Sequence, residues 1–273
     1  YGDHRDLHLS IRRQRQMCIR DRKNMSWGGN AWKIRSKIAD IIIPQNEEMV
    51  VKFFNGFKKL NLIPIGIDVD EFSNIEMEID NIKEYKLENS YPVILSIANV
   101  ISIKGIDYLI KGFSLVLEDY ENAKLLIVGE DKTDYADELK KKVREEGLEE
   151  KVIFTGKQNN IKPFFKAADI FVLSSKKTGE GGPISILEAM ASGIISYGSD
   201  VPGIRDQFRE FPNQLFESEN PGAIANKILK FMKMDEEEKR NIIFDQIEFI
   251  KNNYSIESEV KRLQKLYNNL LKK

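Results

Sequence analysis

DIFVLSSKKTGEGGPISILEAMASGIISYG, residues 169–198, is the stretch that decides the fold. It opens on a short continuous apolar run, DIFVLSS (169–175), passes through a glycine-rich loop, turns helical at Pro183 and returns to a second apolar run, GIISYG (193–198). Apolar runs of that length without polar alternation read as strands covered on both faces. A helix between two of them makes a β-α-β unit with parallel strands.

The alternation continues outward in both directions. PVILSIA (92–98), AKLLIVG (123–129) and KVIFTG (151–156) read as three earlier strands, and QLF (214–216) as a short sixth. Helical spacing starts at Asp107, a charged helix over 134–147 closes at Gly147, a short helix covers 160–168, and helices fill 220–252 and 255–272. The expected fold class is therefore α/β, with one complete Rossmann-like, doubly wound parallel-sheet domain. Its ligands should sit at the carboxyl ends of the strands. No G-x-G-x-x-G follows the first strand, so a dinucleotide cofactor is not expected.

Upstream, residues 37–72 read helix, strand, helix, strand, and the acidic stretch beginning at 73 has no clear period. The segment 25–79 is shorter than the ~100–150 residues of an ordinary domain. The expected division is a non-native arm (1–22), the C-terminal remnant of a second domain (23–79), a linker (80–90), the sheet domain (91–252) and a final helix packing back toward the second domain (253–273). The arm is set apart by composition. It holds six of the twelve arginines, both histidines (His4 and His8) and the only cysteine, Cys18, and its RQRQMCIRDR resembles read-through of a sequencing adaptor.

From Lys23 onward the chain has no His and no Cys, and its charge becomes −4 when the arm's six Arg and three Asp are set aside. That excludes a Ser-His-Asp triad, a thiol nucleophile and an imidazole or thiolate zinc site from the body. Chemistry must rest on carboxylates, lysines, hydroxyls and backbone amides. The whole chain of 273 residues is 41% hydrophobic, enough for a core, and its net charge of −1 gives no field that would draw nucleic acid. No apolar run reaches the ~18–20 residues of a membrane span.

In GEGGPISILEAMASG (179–193), Pro183 suits the first turn of a helix, where its missing N–H costs nothing. The amides of Ile184, Ser185 and Ile186 then lack internal partners and, with the helix dipole, suit a phosphate. Gly181 and Gly182 let a ligand approach the backbone. Glu180 in the loop and Glu188 in the helix supply carboxylates, each able to accept from a pair of vicinal hydroxyls.

This segment resembles the hallmark of retaining glycosyltransferases of the GT-B fold, in the large family four group. KKLNLIPIGIDVDEF (58–72) is similar to the strand and turn that close that family's N-terminal domain, and ANVISIKGIDYLIKGF (98–113) to the segment that starts its donor domain. LLIVGE, VIFTGKQNNI and FFKAADIFVLSS follow the family's order, so the resemblance covers roughly residues 37–250. It implies that Glu180 binds the donor sugar and Glu188 the ribose. It also implies that Gly181–Ser185 meets sugar and diphosphate through backbone amides, and that Lys104 stabilises the leaving diphosphate. Glu180 and Lys104 are then the catalytic pair, and Asn99, Gly181, Gly182, Pro183, Ile184, Ser185, Glu188 and Arg205 the donor-binding set. Asn99 stands where the family has an arginine, Ile65 where it usually has Asn, and Arg205 is a candidate second cation.

The implied substrate is a UDP- or GDP-sugar, with no metal or other cofactor. The implied acceptor is a glycan or a lipid-linked molecule, at a cytoplasmic location with peripheral membrane association. A GT-B sugar-nucleotide epimerase and a non-catalytic nucleotide-sugar-binding module are the alternatives. Asp68 and Asp70 spell a metal-binding Asp-x-Asp, but their place in the turn after a strand favours a structural role.

Overall fold

The computed structural model describes residues 39–75, 79–177 and 181–272. The arm 1–22 and Glu180 lie outside the described residues. Contacts divide the chain into two units. One includes the described residues 39–43 and 56–61, and the other residues 44–55 and 62–273. In the first, Ile42 and Leu60 form a single parallel bridge, with Ile42 N–H donating to Lys59 O (2.8 Å) and Asn61 N–H to Ile42 O (3.0 Å).

The second unit begins with α1 (Glu47–Phe53) and α2 (Val69–Ser73), followed by a 3-10 turn at Ile79–Tyr85. The sheet domain then runs β1 (Val93–Ile97), α3 (Ile106–Leu117), β2 (Lys124–Val128), α4 (Asp134–Glu145), β3 (Val152–Gly156), α5 (Lys162–Ala167) and β4 (Ile170–Leu173). It continues with α6 (Ile184–Ala191), β5 (Ile195–Ser199), α7 (Ile204–Gln207), β6 (Leu215–Phe216), α8 (Pro221–Lys233), α9 (Glu236–Tyr254) and α10 (Ile256–Leu271). All neighbouring strands are parallel and the order is β3-β2-β1-β4-β5-β6. This is the doubly wound sheet expected from the apolar runs.

Strand side chains alternate faces, and the alternation sorts the core into two layers. Val93 and Leu95 of β1, Leu126 and Val128 of β2, and Phe171 and Leu173 of β4 face α5, α6 and α9. Ile94, Leu125, Ile127, Ile170 and Val172 face α3, α4 and α8. Both faces are covered over the central strands β1, β2, β4 and β5, which is why those strands lack polar alternation.

Several expectations need correction. The region 37–72 contains no strand ladder among its described residues. Ile42 and Ile67 each make one isolated bridge, and a β-rich sequence without a neighbouring strand to pair with stays irregular. The helices that fill 220–252 are two, because the Asp235 carboxylate accepts from Glu238 N–H (2.8 Å) and caps a fresh start for α9. Pro183 is the N-cap residue of α6, in extended backbone, rather than its first helical residue. The short helix α7 was not expected at all.

Residues 66–72 make contacts with the sheet domain and with the start of the final helix. Phe72 of α2 packs edge-on against Phe165 of α5, with ring centroids 5.8 Å apart. Ile67 N–H donates to Tyr254 O (2.7 Å), Ile256 N–H donates to Ile67 O (3.0 Å), and Gly66 N–H donates to the Glu259 carboxylate (2.7 Å). Asp68 accepts from Glu71 N–H (3.1 Å) and caps α2, the structural role its position favoured.

Candidate donor site

Strand order reverses between β1 and β4: β2 and β3 extend the sheet to one side of β1, β5 and β6 to the other side of β4. Connections leaving β1 and β4 diverge there and open a crevice at the carboxyl edge. The loop after β1 carries Asn99, Lys104 and Gly105; the loop after β4 leads to Gly181, Gly182, Pro183 and α6. The fold thus brings together at one edge two segments some eighty positions apart.

The two loops are fastened to each other by a serine hydroxyl and by backbone. Ser174 Oγ shares its proton between the carbonyls of Lys104 (3.1 Å) and Gly105 (3.0 Å), and Lys176 N–H donates to Ile103 O (2.9 Å). Gly105 has φ +62, and a Cβ there would stand 2.1 Å from Ser174 O, so only glycine allows this approach. Lys176 adds charge to the seam. Its ammonium meets Asp107 (3.4 Å) and Ser102 Oγ (3.3 Å) and lies 5.1 Å from the centroid of the Tyr108 ring. Asp107 also accepts from Tyr135 OH (2.7 Å), and burial with that carboxylate alongside pushes the Tyr135 phenol well above its ordinary value. Lys104 is therefore held on a fixed turn, half-buried at the lip of the crevice.

Helix α6 begins without a capping side chain, since its N-cap Pro183 has none to offer. The first-turn amides, those of Ile184, Ser185 and Ile186, are left facing the crevice end of the helix. Ile186, Leu187, Ala189, Met190 and Ala191 are buried, whereas Ile184, Ser185 and Glu188 form the partly exposed edge. Side chains in a helix lean toward its amino end, so Glu188 projects back over Ile184 and Ser185, one turn earlier. A phosphate at the amides and a diol at Glu188 are within the reach of one ligand.

Asn99 and Arg205 have partners of their own. Asn99 Oδ1 accepts from Glu130 N–H (3.3 Å), stitching the loop after β1 to the end of β2. The Arg205 guanidinium is held by Asp200, which raises its already high pKa, and it lines a cavity of about 530 Å³ beyond β5 and β6 together with Lys177, Asp200, Phe208 and Glu217.

Three residues here escaped sequence reasoning: Ser174, Lys176 and Gln207. Gln207, buried on α7, donates through Nε2 to Pro183 O (3.0 Å) and so holds the start of α6. The serine pair after β4 was the only local signal, a small polar end to an apolar strand.

The chain is similar to known proteins in sequence and in fold. Mannosylfructose-phosphate synthase of Agrobacterium fabrum is 34% identical over 144 residues, covering 50% of this chain and 31% of that protein. N-acetyl-alpha-D-glucosaminyl L-malate synthase of Bacillus anthracis is 28% identical over 191 residues, covering 70% of this chain and 49% of that protein. The chain thus spans half or less of the length of these relatives. Among solved structures, Anabaena HepE in complex with UDP and glucose superposes with a TM-score of 0.76 at 19% identity, over 87% of this chain and 64% of that one, a likeness of GT-B fold. The family described as Glycosyl transferases group 1 matches residues 78–244, from the 3-10 turn into the first half of α9, and the chain belongs to that family.

Proposed function

We propose that this chain carries the donor-binding part of a retaining glycosyltransferase that moves a hexosyl group from a UDP- or GDP-sugar to a glycan or lipid-linked acceptor. The observation that carries the reading is the meeting of the Lys104 turn and the uncapped start of α6 at the reversal of strand order. The diphosphate would lie across the amides of Ile184–Ile186, and Lys104 would neutralise the charge that grows on it as the glycosidic bond breaks. Glu188 would accept from the ribose hydroxyls, and Glu180 from those of the sugar. Charge stabilisation by a lysine and helix amides requires no metal ion, so the reaction is proposed to run without one. The names of the relatives support a transferase: one is a synthase of a phosphorylated disaccharide, another joins N-acetylglucosamine to malate, and the Anabaena protein holds UDP and glucose. They favour neither the epimerase nor the non-catalytic module. As a part of its family's length, the chain is expected to bind donor better than it turns it over.

Isothermal calorimetry with UDP and GDP tests the site. One of the two is expected to bind, and Glu188→Ala to weaken it about ten-fold, the scale of lost hydrogen bonds to a charged group. Absence of binding by both nucleotides would remove the site assignment.

A further inference from the structure

The cavity of about 530 Å³ beyond β5 and β6 has the size of a small-ligand pocket and opens on the carboxyl edge of the sheet. Its walls come from residues that leave three neighbouring strands: Lys177 after β4, Asp200 after β5, and Glu217 and Ser218 after β6. A single carbonyl knits those strand ends together. Ser175 O accepts from Ser199 Oγ (2.7 Å) and from Ser218 Oγ (3.0 Å), and all three serines are buried. Its described lining includes none of Asn99, Lys104, Gly105 and Gly181–Ser185, the residues that border the donor crevice.

Three cations, Lys177, Arg205 and Arg209, share this cavity with two carboxylates, Asp200 and Glu217. Most of these charges are engaged. The Arg209 guanidinium donates to Asn253 Oδ1 (2.9 Å) and lies 5.4 Å from the centroid of the Phe249 ring, both on α9. Glu217 accepts from Asn220 Nδ2 (2.7 Å). Arg205 is held along one edge only. Its Nε–H donates to the Asp200 carboxylate and its Nη2 to the Asp200 carbonyl (3.3 Å). The Nη1 side has no protein partner, and the side chain is 55% exposed. Lys177 is exposed and its ammonium makes no hydrogen bond or ion pair. An exposed ion pair contributes little to folding, so stability alone does not account for the Asp200–Arg205 pair. What the pair does is orient a guanidinium. A guanidinium already held in place loses little freedom when its open side takes an oxyanion through two parallel N–H···O bonds.

We infer that Arg205 and Lys177 form a binding site for a phosphate group, separate from the donor crevice, in which Arg205 takes two phosphate oxygens and Lys177 supplies further positive charge. Arg205, which the family resemblance assigns to the donor, thereby serves a different ligand. The phosphate belongs either to a phosphorylated sugar or to the free ion, and the same contacts serve both. The site does not depend on the donor-site reading.

Isothermal calorimetry on the full chain, saturated with UDP or GDP to fill the crevice, tests it with inorganic phosphate, glucose 6-phosphate and glucose. The wild type is expected to bind at least one of the two phosphates and not glucose. Arg205→Lys keeps the charge and loses the fork, and Lys177→Gln removes a charge without breaking a hydrogen bond. Each is expected to weaken phosphate binding about ten-fold while keeping the wild-type circular dichroism spectrum and nucleotide affinity. Tighter binding of glucose 6-phosphate than of inorganic phosphate identifies a sugar phosphate as the source; equal or weaker binding identifies the free ion. No binding of either phosphate by the wild type, or full phosphate affinity in Arg205→Lys, overturns the inference. An equal loss of nucleotide and phosphate affinity in Arg205→Lys returns Arg205 to the donor site and overturns it as well. If the wild type binds neither nucleotide, the donor-site reading fails by itself, and the same titrations without nucleotide decide the cavity.

Discussion

The helices that follow β2 and β6 close their own amino ends, while those that follow β1 and β4 do not. Thr133 Oγ1 accepts from Ala136 N–H (3.1 Å) at the start of α4, and Asn220 Oδ1 from Ala223 N–H (3.0 Å) at the start of α8. Helix α3 instead starts from Gly105 and α6 from Pro183, and neither has a capping side chain. The two open helices flank the reversal of strand order, where a doubly wound sheet binds ligands. Helices α5 and α7 also lack caps, but they are only six and four residues long. A cap is worth about 1 kcal/mol, so an open end is a stability cost retained where the amides have other work. On the function proposed above, capped ends serve folding and open ends at the crevice serve binding.

The largest expected effect tests how tightly the open ends are fastened. Gly105→Ala places a Cβ 2.1 Å from Ser174 O at φ +62, combining a backbone clash with left-handed strain. It should cost about 3 kcal/mol or more of unfolding free energy in urea. A loss below about 1 kcal/mol would show that the loops after β1 and β4 yield easily, and the fixed position of Lys104 would no longer follow. The next effect separates the two kinds of helix start. Asn220→Ala should lower stability by about 1 kcal/mol and leave nucleotide affinity unchanged. Glu188→Ala should do the reverse, because its carboxylate sits on the partly exposed edge of α6. If removing the α8 cap weakened nucleotide binding as much as Glu188→Ala does, the division of labour would be wrong.

Much of this was legible in the chain. The strands announced themselves because a parallel sheet buried on both faces must be built from continuous apolar runs. The loop-to-helix segment 179–193 was legible because Gly, Gly and Pro have few other uses in that order. The split between α8 and α9 was legible too, in the Asp235-x-x-Glu238 pattern of a capped start, yet the long run of helix formers on both sides concealed it. Residues 58–67 misled for the opposite reason: their side chains favour a strand, but strand formation depends on a neighbour. Contacts such as Ser174 to Gly105 and Gln207 to Pro183 join positions 69 and 24 apart. They depend on loop paths that no local pattern encodes, so the residues that fasten the two loops together stayed hidden.

The amino edge of the sheet offers the smallest effect and the sharpest contrast with the open crevice. Asp169, just before β4, accepts from Val93 N–H at the start of β1 (2.7 Å) and returns a bond from its own N–H to Val93 O (2.9 Å). It closes that edge as a cap closes a helix. Burial pushes its carboxyl above the ordinary value of 3.8, opposed by the Val93 hydrogen bond and by the charge of Lys239. Because the folded-state value is the higher one, the unfolded chain releases this proton first. The residue's contribution to stability is therefore greatest below the unfolded value and falls as pH rises through the folded one. Asp169→Asn keeps an acceptor for Val93 N–H and has no proton to lose. It should be more stable than the wild type near pH 7 by less than about 1 kcal/mol, with the gain vanishing at pH 3. Urea midpoints of the two proteins across pH 3 to 7 measure the difference. Parallel curves would mean that Asp169 pays no net cost for its charge, and that the closed edge is as tolerant of a carboxylate as the solvent is.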